Sequence, residues 1–119
     1  MTDKNFSRLQ DSIRDFAADR DWDQFHSPKN LAMALGSEAG ELLEQFQWLT
    51  ESESKTPSAE KKQAIADEVA DVLIYLLRLA DKLDIDLIDA AFLKIRKNAE
   101  KYPAERVRGS MKKYTEYGQ

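Results

Sequence analysis

The sequence predicts an all-α fold, a four-helix bundle-like subunit, and three observations carry that prediction. Glycine and proline are scarce, at 4 and 3 residues of 119, in a chain rich in the strong helix formers Ala, Leu, Glu, Lys and Arg. Apolar residues recur at spacings of three and four in separate stretches, the period of one helix face. No stretch reads convincingly as a strand. Hydrophobic residues make up 42 % of the chain, enough to exclude a disordered protein. The length fits one domain, residues 1–119, with a less regular tail over about 104–119.

The elements follow in chain order. Phe6, Leu9, Ile13 and Phe16 form one stripe and predict a first helix over 5–19. Asp21 to His26 breaks the pattern and reads as a connection. Ser27-Pro28 has the form of an N-cap followed by proline at the first helical position. It opens a second helix, expected from Pro28 to Leu49, whose stripe is Leu31, Leu35, Leu42, Phe46 and Leu49. Residues 50–57 are polar, lack an apolar anchor and predict a loop. A third helix is expected from Ser58 to Leu83. Its segment Val69 to Leu77 is apolar on nearly every side, and such a helix must be covered all round. Asp86, with Asp89 three residues on, resembles a capping box for a fourth helix. Leu87, Ala91, Ile95 and Ala99, or Phe92 one position over, should form its buried face. Pro103 ends it near Lys101. Residues 104–119, with Arg106, Arg108, Lys112 and Lys113, predict a tail with at most a short helix. Four helices do not easily cover both sides of the third, so a dimer or larger homo-oligomer is expected.

Charge and composition narrow the function. A net charge of -4 disfavours a nucleic-acid polymer as partner, since polymer binding uses a basic surface. There are no cysteines, which removes disulfides and thiolate metal sites. No apolar run approaches the roughly 18 residues of a membrane span, and the first residues lack a signal-peptide core. A soluble, cytoplasmic protein with no membrane partner is the expectation.

Two acidic pairs carry the chemistry. Glu38 and Glu41 are three apart on the second helix, and Glu38 falls within the apolar stripe. An ionised carboxylate in a dry core costs several kcal/mol unless it is paired or binds a metal. Glu68 and Asp71 repeat the arrangement on the third helix. With Tyr75 they line one edge, roughly 100–160° from the Val69/Leu73/Leu76 stripe at 100° per residue. No lysine or arginine lies three or four residues from Asp71, and Arg78 is seven residues on. Any single acidic pair of this spacing is ordinarily a solvated helix face. Two inward pairs on adjacent helices would gather four carboxylates whose repulsion a hard divalent cation relieves. Oxygen-only ligation suits Mg²⁺ or Mn²⁺, and a single histidine, His26 in a connecting segment, fits the di-iron bundle pattern poorly.

Two further groups stand near these pairs in the pattern. Lys94, Asn98 and Lys101 share one face of the fourth helix and could meet phosphate oxygens, although an exposed basic face is the commoner meaning of that spacing. Trp22, Phe25, His26 and Trp48 fall where the second helix begins or ends, where aromatic planes could stack on a base or simply pack.

The motif Glu38-Ala-Gly-Glu41 followed by Glu68-Val-Ala-Asp71 resembles the E-x-x-E…E-x-x-D signature of the all-α nucleoside triphosphate pyrophosphohydrolases, the MazG-like superfamily. Arg20 to His26, Gln45 to Trp48, Asp71 to Leu76, Lys101 to Ala104 and Lys113 to Glu116 resemble its dCTP pyrophosphatase branch. The resemblance implies Mg²⁺-dependent hydrolysis of a nucleoside triphosphate, dCTP or a modified dCTP, to the monophosphate and pyrophosphate. It implies that Glu38, Glu41, Glu68 and Asp71 hold the metal, with Glu38 or Glu41 as general base. Trp22, His26, Trp48 and Tyr75 would line the base and sugar pocket, and Lys94, Asn98, Lys101 and Tyr102 would meet the triphosphate. It also implies a tetramer, a dimer of dimers with shared sites. The sequence departs from that branch at Ile13, where close relatives carry a histidine. Two other readings are a non-catalytic helical adaptor and a nucleotide-binding protein without turnover.

Overall fold

The structure, a computed structural model, describes residues 4–110 and is all-helical, with no strand among the described residues. Four long helices appear where the periodicity places them: α1 (Lys4–Asp19), α2 (Pro28–Glu44), α4 (Ala59–Lys82) and α5 (Leu87–Lys101). Two short ones, α3 (Glu51–Lys55) and α6 (Ala104–Val107), complete the order. Lys112, Lys113 and the stretch Lys113 to Glu116 lie outside the described residues.

Capping residues set most boundaries. Ser27 accepts from the Asn30 amide and Pro28 takes the first turn of α2. Ser58 caps α4 in the same way. Asp86 caps α5 by accepting from the Asp89 amide at 3.0 Å. Helices α1 and α4 end alike: Asp21 and Asp84 adopt positive φ, and the next amide reaches five residues back, Trp22 to Ala17 and Ile85 to Ala80, both at 2.9 Å. This is the left-handed helix stop that glycine usually supplies, here built on aspartate.

Three expectations are corrected. Helix α2 stops at Glu44 instead of Leu49, because the amides of Gln45 and Phe46 bond carbonyls only three residues back, which tightens and ends the helix. The expected loop 50–57 contains α3, fixed by a reciprocal capping box between Thr50 and Glu53 at 3.1 and 2.9 Å. And α5 buries none of its residues; Phe92 and Ile95 are well exposed.

The chain divides into two compact units, residues 1–85 and residues from Asp86 onward. In the first, α4 packs along α2 and more briefly against α1. Ala17, Leu31, Leu77 and Ala80 are its buried apolar residues. Lys61 Nζ donates to Gln45 Oε1 at 3.2 Å near one end of the α2–α4 pair, and Arg78 Nε donates to His26 Nδ1 at 3.2 Å near the other. The two contacts make the helices antiparallel and fix their register. Counting inward from Gln45 and Lys61 brings Glu38 opposite Glu68, and counting from His26 and Arg78 brings it within two residues of that position. Between the pins the less exposed positions include Leu31, Leu35, Glu38 and Leu42 on α2 and Ala64, Glu68, Asp71, Tyr75 and Leu77 on α4. The acidic edge of α4 therefore faces inward, while Val69, Leu73 and Ile74 remain 49, 42 and 38 % exposed. α4 is not covered all round within this unit.

Candidate functional site

Three of the four predicted carboxylates meet. Glu38 and Glu41 from α2 and Glu68 from α4 each offer an oxygen, and these atoms lie within 4.8 Å of one another. One oxygen of Glu38 and one of Glu68 are buried without any hydrogen-bond partner. Buried polar atoms are almost always paired, so two orphaned acceptors at one point call for a donor or a cation. The charges leave their mark on proton affinity. The neighbouring Glu41 carboxylate, then burial, holds the Glu38 carboxyl up to about 7. Burial, then the charge of Glu41, pushes Glu68 upward as well. Like charges crowded together in a partly dry place raise each other's affinity for a proton, and a divalent cation would relieve the same conflict. The donor set is oxygen only, which fits a hard ion. Asp71 is not within this tight group, although its charge acts on Glu38 and Glu68.

Beside the carboxylates lies a cleft of about 430 Å³, within the size range of small-molecule sites. Leu9, Ile13 and Phe16 of α1 with Ile74 of α4 give it an apolar wall, and Trp22, His26, Glu38, Asp71, Tyr75 and Arg78 are among its other lining residues. So one cavity gathers five of the predicted residues, Trp22, His26, Glu38, Asp71 and Tyr75. Trp22 is braced edge-on by Phe16, centroids 5.6 Å apart, and by His26 at 6.4 Å. Arg20 in turn lies over the Phe16 ring at 3.7 Å, a cation–π contact.

Other predicted residues stand elsewhere. Trp48 follows the far end of α2, away from Trp22 and His26, and is 86 % exposed. Phe25 does not line the cleft. Lys94 and Asn98 are exposed on α5 in the second unit, where Lys101 is the last helical residue and Tyr102 the C-cap.

Arg78 is the residue that sequence reasoning undervalued. It is only 6 % exposed and reaches three groups: His26, Asp23 Oδ1 at 2.6 Å and Asp81 at 3.7 Å. Asp81 also takes a two-point contact from Arg14 of α1, at 2.7 and 2.5 Å, and Lys82 pairs with Asp23. The signal was present in the sequence, since Arg78 is two helical turns beyond Asp71 on the same face.

Comparison with known proteins agrees with this picture. The model of the MazG-like family matches residues 33–117. The chain is 47 % identical over 104 residues to dCTP pyrophosphatase 1 of Homo sapiens and 45 % identical over 104 to that of Rattus norvegicus. Each alignment covers 86 % of this chain and 61 % of the relative, so the chain spans about three fifths of the length of the curated relatives it matches. The crystal structure of a pyrophosphatase from Archaeoglobus fulgidus superposes with a TM-score of 0.78 at 41 % identity, covering 87 % of this chain and 96 % of that one.

Proposed function

The chain belongs to the MazG-like family, and from that membership we propose that it is a nucleotide pyrophosphohydrolase, cleaving dCTP or a modified dCTP to the nucleoside monophosphate and pyrophosphate. The observation that carries this reading is the carboxylate cluster of Glu38, Glu41 and Glu68 opening beside a cleft with an apolar and aromatic wall. The names of the relatives, dCTP pyrophosphatase 1 and a pyrophosphatase, support it.

Mg²⁺ fits the orphaned, oxygen-only donor set, and Glu38, Glu41 and Glu68 would hold it with Asp71 beside them. When bound, such an ion supplies charge neutralisation for phosphate oxygens and polarises water. Water attacks the α-phosphorus, the bond to the bridging oxygen breaks, and pyrophosphate leaves with the electron pair. Glu38 or Glu41, standing as general base instead of ligand, takes the proton that the water loses. Trp22, His26 and Tyr75 hold the base and sugar, with Phe16 and Ile13 excluding water behind them. Lys94, Asn98, Lys101 and Tyr102 are proposed to meet the triphosphate.

A homo-oligomer, dimer or dimer of dimers, is part of the proposal. The exposed apolar residues Val69 and Leu73 on α4 support it, because uncovered apolar surface usually marks an interface. Trp48 would then serve the site of a neighbouring copy. No helix among the described residues is long and apolar enough to cross a membrane. Cytoplasmic location belongs to the proposal, as do a free nucleotide as substrate and no nucleic-acid polymer as partner.

The deciding experiment is incubation with a panel of dNTPs and Mg²⁺, resolving every phosphate-containing product. Monophosphate with pyrophosphate is expected. A diphosphate product would place cleavage at the γ-position and overturn the mechanism, and no product from any nucleotide would favour the adaptor or sensor readings.

A further inference from the structure

Arg78 holds its guanidinium almost out of water and is not part of the carboxylate cluster. Its guanidinium is anchored by Asp23 at 2.6 Å and flanked by Asp81 at 3.7 Å, itself clasped by Arg14. So positioned, its Nε–H donates to Nδ1 of His26 at 3.2 Å. A guanidinium has donors only and does not give up its proton. The Nδ1 atom of His26 must therefore present its lone pair. Burial, then the positive charges of Arg78 and Lys82, lower the proton affinity of His26 against the weaker opposing pull of Asp23. A neutral imidazole that accepts at Nδ1 carries its hydrogen at Nε2. No described residue accepts from that Nε2–H, and the ring lines the cleft.

We propose that Arg78 is a positioning residue that locks His26 in the neutral Nε2–H form, so that the cleft presents a fixed hydrogen-bond donor to an acceptor atom of the nucleoside. The consequence is selective: a carbonyl or ring-nitrogen acceptor is welcomed there and a donor is refused, because an unmatched polar pair in a closed site loses its hydration without return. Arg78, Asp23 and His26 are not members of the carboxylate cluster, so nucleoside reading and metal holding use different residues of the same cleft. The inference rests on the reading of the cleft as a nucleoside pocket.

His26 is the only histidine in the chain, so its ring nitrogens can be observed without ambiguity. The first measurement is a long-range ¹H–¹⁵N correlation spectrum of the labelled full chain at pH 7 without nucleotide. One pyridine-like Nδ1 and one pyrrole-like Nε2 resonance are expected. An Nδ1–H form, an even mixture or an imidazolium would overturn the lock. Titration with the four deoxynucleoside monophosphates should then shift the Nε2 resonance with at least one of them; no shift with any would overturn the donor role. Arg78→Gln should lose the single-form spectrum. Because that variant removes a buried ion and could unfold, a second pair decides independently. His26→Gln places an amide donor near the Nε2 position and His26→Asn places it near Nδ1, so KM should be about tenfold higher in the Asn variant than in the Gln variant, with the difference in KM and not in kcat. Equal KM values for the two would sink the proposal. Absence of turnover on every nucleotide, together with an Nε2–H spectrum, would refute the hydrolase reading while supporting the role of Arg78.

Discussion

Glu38 and Glu68 face each other across the α2–α4 contact, and each keeps one buried carboxylate oxygen without a hydrogen-bond partner. Two helices that pack well elsewhere thus bring like charges together at the middle of their interface. Packing alone would not favour this, so the cost is a measure of what the site is for.

Neutralising one member should relieve that cost while removing the chemistry. Glu38→Gln, and separately Asp71→Asn, should lower kcat by at least about a hundredfold with the far-ultraviolet circular dichroism unchanged. Full activity in either variant would refute the site. Glu68→Gln should leave the metal-free protein equally or more heat-stable than the parent.

The same crowding predicts how stability follows pH. Glu38 is held up to about 7 in the folded chain, against about 4.3 in an unfolded one. A group whose folded affinity for protons is raised favours folding below its unfolded value, and that contribution is lost as pH rises through the folded one. The Tm of the metal-free protein should therefore decline from about pH 4.5 to about pH 7. Mg²⁺ should restore it, more at pH 7.5 than at pH 5, by about 2.7 kcal/mol at a hundred times Kd. A flat profile without metal, or equal gains at both pH values, would contradict the account.

Arg14 and Asp81 tie α1 to α4, and α1 supplies much of the apolar wall of the cleft. The Arg14 guanidinium holds the Asp81 carboxyl below its ordinary range. The sign is opposite to that of Glu38: this stability is present above pH 4 and lost as acid protonates Asp81. Arg14→Met should remove part of the acid-limb dependence, and a double-mutant cycle with Asp81→Asn should give a coupling of about 0.5–3 kcal/mol. Additive effects would show that the contact is inert.

Trp48 offers a test of a shared site. It is 86 % exposed, so Trp48→Ala should cost little stability yet raise KM about tenfold through lost stacking. Mixing Trp48→Ala with Glu38→Gln protein after subunit exchange should recover activity at low substrate, in about a quarter of sites for random pairing in a two-fold assembly. No recovery would place Trp48 outside the site.

The helices and the inward placement of Glu38, Glu68 and Asp71 were legible because both depend on local spacing, although Glu41 is exposed: Glu38 interrupts a stripe of leucines, and Ser27, Ser58 and Asp86 announce their helices. Helix α3 escaped because five polar residues have no apolar period, although Thr50 and Glu53 spell its capping box. The end of α2 escaped because Phe46 and Leu49 continue the stripe after the backbone has tightened. The polarity of α4 was harder still. Val69 and Leu73 look like core, yet they face outward, and only the register against α2 decides which side is inside. Arg78 was hidden because its partners, Asp23 and His26, are more than fifty positions away in the chain.

The two pins on the α2–α4 pair turn the helices into a matched gauge. Between them, a residue inserted into one helix alone would swing its acid about 100° off the shared axis, whereas the segment carrying α3 could lengthen or shorten without disturbing the alignment. Tolerance to insertions should therefore be sharply uneven along this chain: permissive between Leu49 and Ser58, and close to zero from His26 to Gln45 and from Lys61 to Arg78.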